Sequence, residues 1–358
     1  MERRKVLGLF GWICLALVLM ATSLPVAHAQ KAPEQIKLTM ISAFPLTNKT
    51  INYAPELFKK YVETWSGGRI QVDFKGGPEI VAFLEIPRVT ERGMFDIAYT
   101  APPFVGSQYP AFQLFNFTNP VNQRIAVRDD TLWDLMNKIT RNHGMVYLGV
   151  CNAGTPNFVL LNKKPPLDKD GKIESFKGLK IRTGGPFDAD LVSDLGGTSV
   201  AMHPGEIYEA MRTKLIDGAM NPMNNAVIMK YWEIISYISK ETIYSFNAMA
   251  FMNAKVFDKL PPDVQKLIIE VGKEVQIASY NYTQAITWDG LNSELAYGNV
   301  PSIPFNDKAL KTFAETRRKK LDKFAAAEPK LSKEIIEKFA KYYAKEHLPI
   351  GTDLSLNR

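Results

Sequence analysis

The sequence predicts an α/β fold built as two similar lobes, and three observations carry that expectation. Strand-like and helix-like segments alternate through the first hundred residues, the same order returns in the second half, and short blocks of the second half echo blocks of the first. Strands and helices in the order β-α-β-α-β are the signature of helices layered on a parallel sheet.

The first segment is a leader. The chain opens on MERRK, runs through apolar residues from Val6 to Ala21 and reaches TSLPVAHAQ. A basic start, an apolar core of about 15 residues and small residues at Ala27 and Ala29 read as a signal peptide cut after Ala29. The apolar run is shorter than the roughly 20 residues of a spanning helix. The mature chain, residues 30–358, is therefore expected outside the cytoplasm.

Next, QIKLTMISAF reads as a strand and YAPELFKKYVETWSGG as an amphipathic helix stopped by its glycine pair. RIQVDFKGG is a second strand, FLEIPRVTERGM a helix, and FDIAYTAPPF a third strand ending in a proline turn. The pattern then restarts. FVLLNKKPPL is extended, GLKIRTGG is a strand, PFDADLVSDLGG and GEIYEAMRTKL are helices, and DGAMNPMNNA is a short strand with its loop. RIQVDFKGG pairs with GLKIRTGG in this repeat, and MFDIAYTAPP with LIDGAMNPM.

AMAFMNAKVF forms a further strand, and the proline pair of PPDVQKLIIEVGKEVQ opens a helix expected over residues 262–295. A helix of about 30 residues reaches roughly 45 Å, the width of two small domains. Residues 296–358, rich in lysine, alanine and glutamate, read as outer helices and a tail.

Composition narrows the function. The net charge is +7, with Arg3, Arg4 and Lys5 belonging to the leader, and the remaining basic residues are scattered. The densest run, Arg317 to Lys320, reads as a solvated helix face, so no nucleic-acid partner is expected. Cys14 lies in the leader, which leaves Cys151 without a disulfide partner. The sequence carries no G-x-S-x-G, H-E-x-x-H, phosphate-loop or dinucleotide motif, and His143, His203 and His347 stand far apart. No catalytic residue, metal ligand or cofactor is assigned. The carboxylates of DADLVSD read as helix-dipole partners and solvated surface.

Open α/β sheets bind ligands at the carboxyl ends of their strands. In GLKIRTGG, strand alternation puts Arg182 on the face opposite Leu179 and Ile181, just before the glycines. Tyr99, Thr100 and Phe104 end the corresponding first-lobe segment, and Asn221, Asn224 and Asn225 another strand of the second lobe. An arginine facing amides and aromatic rings suits a carboxylate on a small organic body, because guanidinium pairs bidentately and stays charged. Arg182 alone also reads as a solvated surface charge.

The block GLKIR, then GGTSVAM, then GEIYEAMRTKLIDGAMNP resembles the solute-binding proteins of TRAP (tripartite ATP-independent periplasmic) transporters, in the dicarboxylate-binding-protein (DctP) family. GGPEI, RGMFDIAYT and NAKVFDKLPPDVQKLI extend the likeness over about residues 35–325. The resemblance implies a type II periplasmic-binding-protein-like fold with a ligand cleft between the lobes and a long helix spanning both. Lobe I would take residues 30–152 and about 240–275, lobe II residues 153–239. It implies a monomeric periplasmic protein that closes on a small carboxylate and delivers it to a TRAP membrane permease. Arg182 would make the salt bridge to that carboxylate and Asn221 would support it. Tyr99 and Phe44 would line the pocket with Phe104, Thr100 and Asn225.

Three departures from the family pattern sharpen the expectation. Met220 replaces a glutamate before Asn221, and Asn157 stands where a second arginine is common. His203-Pro204-Gly205-Glu206 replaces a segment that would supply an aromatic wall. One arginine instead of two favours a monocarboxylate, and Phe44, Tyr99, Phe104 and Met220 or Met223 favour an apolar or aromatic body. The competing readings are a ligand sensor for a signalling partner and an exported α/β enzyme.

Overall fold

The first lobe grows from β1 (Ile36–Ser42), whose apolar residues alternate into the core. Helix α1 (Tyr53–Trp65) buries Ala54, Pro55, Phe58 and Val62, one stripe at helical spacing. Gly67 and Gly68, both with positive φ, turn the chain out of it. β2 (Ile70–Gly76), α2 (Ile86–Glu91) and β3 (Ile97–Thr100) follow, and β1 pairs in parallel with both β2 and β3. The proline turn is itself a short helix, α3 (Pro102–Val105), followed by a 3₁₀ segment at Pro110–Asn116 and α4 (Asp130–Asn142). This computed structural model describes residues 35–106, 108–116, 129–297, 300–327 and 329–345, so the expected leader lies outside the described residues.

β4 (Met145–Leu161) is a 17-residue strand that carries the chain into the second lobe. There β5 (Lys180–Thr183), α5 (Pro186–Asp194), β6 (Thr198–Ala201), α6 (Ile207–Arg212) and β7 (Gly218–Pro222) repeat the plan, with β5 parallel to both β6 and β7. After α7 (Met223–Ile228) and β8 (Tyr237–Ser239), β9 (Tyr244–Asn253) returns the chain to the first lobe.

All these strands belong to one sheet in the order β2-β1-β3-β9-β4-β7-β5-β6, with β8 on β4 as a branch. The expected parallel sheet is therefore mixed: β9 is antiparallel to β3 and β4, and β4 is antiparallel to β7 and β8. A chain that crosses and returns must contribute one strand in each direction. β4 and β9 pair from Met145 to Cys151 and again from Thr155 to Asn157, with an irregularity between the two stretches where the lobes meet.

The repeat is real but displaced by one strand. β1 and β5 are the central strands, each flanked by two parallel neighbours, so GLKIRTGG corresponds to β1 and not to the edge strand β2. The pairing of β3 with β7 stands, because each lies beside a crossing strand.

After α8 (Ala254–Phe257), helix α9 (Pro262–Tyr297) has 36 residues, about 54 Å at 1.5 Å per residue. It lies along β4 and touches α1 in one lobe and α7 in the other. The crossing is tight at Gly272, where a Cβ would stand 2.6 Å from the Leu148 carbonyl oxygen. One turn on, Gln276 Oε1 accepts from the Val150 N–H at 2.7 Å and from the Tyr147 hydroxyl at 3.1 Å, which ties α9 to β4 beside its bulge.

β10 (Ser302–Ile303) pairs with β8, and α10 (Asp307–Ala327) and α11 (Pro329–Lys345) pack outside. The basic run on α10 is solvated only in part, with Arg318 and Lys319 exposed. Arg317 and Lys320 are buried; Lys320 pairs with Asp190 at 2.5 Å, and Thr316 donates to Asp194 at 2.6 Å. Two carboxylates of DADLVSD thus hold α10 against α5. No helix among the described residues is long and apolar enough to cross a membrane.

Candidate functional site

The strand ends of both lobes open on one cavity of about 540 Å³. Phe44, Asn48, Ile51, Pro103 and Phe104 line it from the first lobe; Asn157, Arg182, Gly184, His203, Asn221, Asn225, Ile228 and Met229 line it from the second, with Tyr244 and Phe246 of β9 between them.

Arg182 is 3% exposed. Its Nε donates to the Met202 carbonyl at 2.9 Å and Nη1 to the Met220 carbonyl at 3.0 Å, which fixes the guanidinium against β6 and β7. Nη2 is left with no acceptor among the described residues. Burial pulls the guanidinium pKa down, and Asp188, Tyr231, Tyr244 and Glu206 partly restore it.

Asp188 is the group that sequence reasoning misplaced. It is not solvated: at 2% exposure it accepts from the Gly184 N–H at 2.9 Å and from the Tyr244 hydroxyl at 3.4 Å. Helix periodicity turns it inward while Asp190 and Asp194 turn toward α10. Burial pushes its carboxyl pKa up, against the pull of the Gly184 N–H, Arg182 and Tyr244.

The glycine pair has two separate tasks. A Cβ on Gly184 would lie 3.3 Å from Arg182 Nη1 and 3.4 Å from Asp188 Oδ2, so its absence leaves room for both charges. A Cβ on Gly185 would lie 2.9 Å from the Pro103 carbonyl oxygen, across the cleft. Two further contacts join the lobes: Asn48 donates to Asn225 at 3.2 Å, and the Phe83 and His203 rings meet edge-on at 5.1 Å. These contacts bridge the two lobes beside the cavity.

Two buried polar atoms around the cavity lack a hydrogen-bond partner among the described residues, Asn157 Oδ1 and Asp188 Oδ1, while the Asn221 amide stands against the Tyr231 hydroxyl. Unpaired buried polar atoms are costly, so their convergence beside Arg182 marks where a polar ligand would be satisfied. The opposite wall is aromatic, with Phe44 at 5.5 Å from Phe104 and 6.4 Å from Phe246.

A family model described as bacterial extracellular solute-binding protein, family 7 (DctP) matches residues 42–328. The chain belongs to this family. Among curated relatives, the ectoine-binding periplasmic protein TeaA of Halomonas elongata is 22% identical over 79% of this chain and 83% of its own length. Solved structures share the fold. DctP7 of Bordetella pertussis, an extracytoplasmic solute receptor binding pyroglutamic acid, superposes with TM-score 0.71 at 16% identity, covering 84% of this chain and 98% of its own. A TRAP periplasmic solute-binding protein of Colwellia psychrerythraea with bound calcium and pyruvate gives TM-score 0.75 at 19% identity, covering 88% and 96%.

In this family 7 protein the cavity brings together six of the residues expected from sequence: Phe44, Phe104, Asn157, Arg182, Asn221 and Asn225. Tyr99 and Thr100 lie outside its lining. Tyr99 is buried behind Phe44, 5.7 Å between ring centroids, because the chain bends into α3 and presents Pro103 and Phe104 instead. Met220 and Met223 are fully buried away from the cavity, and Met229, Ile228 and Phe246 supply the apolar lining in their place. His203, read as the loss of an aromatic wall, packs its ring on Phe83. Asn48, Asp188 and Tyr244 were missed, since nothing local marks a loop asparagine or a strand tyrosine as lining a distant cleft.

Proposed function

We propose that this family 7 protein is a periplasmic receptor for a small organic monocarboxylate, which it holds on Arg182 and delivers to a TRAP membrane permease. One observation carries the reading: a buried, immobilised guanidinium faces a closed cavity with one edge unpaired. An anion at that edge would pair with the Arg182 guanidinium inside the cavity.

Asp188 argues for one carboxylate. It already balances part of the Arg182 charge, and Asn157, an amide, is the neighbouring polar group where a second cation would be needed for a diacid. The aromatic wall of Phe44, Phe104 and Phe246 suits an apolar or ring-shaped body. The pyroglutamic acid and pyruvate held by the structural relatives are acids of this size. About 540 Å³ falls in the range of small-ligand pockets.

In this reading the lobes divide near residues 152 and 240, and the irregularity between Cys151 and Thr155 in β4 is the hinge. Ligand holds the closed state because only there do Arg182 and the first-lobe wall contact it together.

A thermal-shift screen against pyruvate, pyroglutamate, aromatic monocarboxylates, malonate and succinate tests the proposal. A ligand at 100 times its Kd stabilises by about 2.7 kcal/mol. Monocarboxylates are expected to give the largest shifts; a response to the diacids alone would refute the single-carboxylate reading.

A further inference from the structure

His203-Pro204-Gly205-Glu206, the segment that departs from the family pattern, reaches from the second lobe to the first. The His203 ring meets Phe83 of the first lobe edge-on at 5.1 Å, Phe83 meets Phe104 at 4.8 Å, and Phe104 meets Phe44 at 5.5 Å. These rings run in series from the cavity wall across the division between the lobes. Phe44, Phe104 and His203 line the cavity, while Phe83 lies outside its lining.

Both sides of the cross-lobe contact are held in place. In the second lobe, His203 Nδ1 accepts from the Gly205 N–H at 3.1 Å, which puts the proton of the neutral ring on Nε2. Buried Nε2 stands against the Ala43 carbonyl of the first lobe. The His203 N–H donates to Glu206 at 3.2 Å, and the hydroxyl of fully buried Tyr231 donates to the Pro204 carbonyl at 3.1 Å. The preceding residue, Met202, is fixed through its carbonyl by Arg182 Nε. In the first lobe, Gln108 donates to the Leu84 carbonyl at 2.9 Å and anchors the loop that carries Phe83. An edge-on aromatic contact stabilises only at its own short range, so a pair divided between two lobes exists only in the arrangement that brings them together.

We propose that Phe83 and His203 are positioning residues for ligand capture, a ring pair that latches the lobes over the cavity. Phe83 acts through Phe104, which it backs, and the loop of His203 is fastened by the same arginine that holds the acid. The inference rests on the reading of a receptor whose lobes hinge about β4. On this account the departure at His203 exchanges an aromatic wall for a ring that ties the lobes.

The test is the distance between lobes, measured by pulsed electron spin resonance on the mature chain. Labels are placed through Lys60→Cys on α1 and Glu209→Cys on α6, both exposed positions, and buried Cys151 stays unlabelled. Each protein is titrated with pyruvate, pyroglutamate and malonate. With the acids that close the wild type, Phe83→Leu and His203→Gln are each expected to need about two- to tenfold more acid for half-closure. Phe83→Tyr keeps the ring and should close as the wild type does. The double variant should need no more than about twice the acid of the weaker single variant, because both changes remove the same contact. Closure of both single variants at wild-type concentrations, or losses that multiply in the double variant, would show that the rings do not latch the lobes and would leave the receptor reading intact. A wild type whose lobe distance answers to none of the acids would overturn both.

Discussion

Replacing Arg182 with methionine separates its part in binding from its part in folding. The guanidinium donates to the carbonyls of Met202 and Met220 and is desolvated. Methionine leaves those two carbonyls short of a donor, at about 1–3 kcal/mol each, but removes a buried charge whose desolvation costs several kcal/mol. Asp188 also loses the cation it faces, so the apo melting temperature should fall, partly offset by the removed desolvation. Binding has no such offset. The carboxylate would lose its cation in a closed cavity, which costs about 2–5 kcal/mol, or about 30-fold to several thousandfold in Kd. Calorimetric titration with the acid that gives the largest thermal shift, alongside a melting curve of the apo protein, measures both quantities. Retention of wild-type affinity within about threefold by a folded Arg182→Met protein would refute the assignment of Arg182 as the carboxylate clamp.

Gly185→Ala places a methyl 2.9 Å from the Pro103 carbonyl oxygen across the cleft, so it should weaken ligand affinity by obstructing closure while leaving the apo melting temperature near wild type; titration and melting curves check this together. Burial, then the Arg182 charge, pulls the His203 pKa below 6.5, against Glu206 and the Ala43 carbonyl. The stability contributed by its neutral ring should therefore be full above 6.5 and be lost as pH falls through the lowered value. His203→Gln should flatten the decline in melting temperature between about pH 7.5 and 5. Among the described residues no three His, Cys, Asp or Glu side chains converge on a metal site, so EDTA should leave the affinity for a monocarboxylate unchanged. A loss of about tenfold would show that a cation accompanies the acid here, as calcium does in the Colwellia protein.

The elements that sequence makes legible are those whose period is set by one buried face. Helix α1 shows its apolar stripe at Ala54, Phe58 and Val62, and α9 declares itself by length. β4 does not: a strand buried on both sides lacks alternation, and Gly149 and Pro156 look like breaks when Gly149 marks a bulge and Pro156 is paired within the ladder. The cleft divides in the same way. Arg182 and Asn221 stand at strand ends, where pattern alone directs attention, and the amides of Asn157 and Asn225 stand near them. Asn48 and Tyr244 reach the cavity only through the closure of two lobes about 177 residues apart in sequence at the Asn48–Asn225 contact, and no local rule carries that information.

The misreading of DADLVSD shows how much depends on helix phase. Three acids in seven residues look interchangeable, yet the turn of α5 sends Asp190 and Asp194 to α10 and Asp188 to the cleft. Asp188 then alters what the cleft can accept. A lone buried arginine would draw in any anion and gain more from a dianion. With a carboxyl group facing it across Gly184, the added charge of a second carboxylate meets repulsion as well as attraction, and the gain from it shrinks. On this account Asp188→Asn should widen the range of acids bound, raising affinity for malonate or succinate relative to a monocarboxylate. An unchanged ratio between diacid and monoacid affinities would mean that Asp188 sits in the protonated, neutral form at the pH of the measurement. Its raised pKa allows that outcome, and repeating the titration at higher pH distinguishes it: ionised Asp188 should then restore the discrimination in wild type and leave the asparagine variant unaffected.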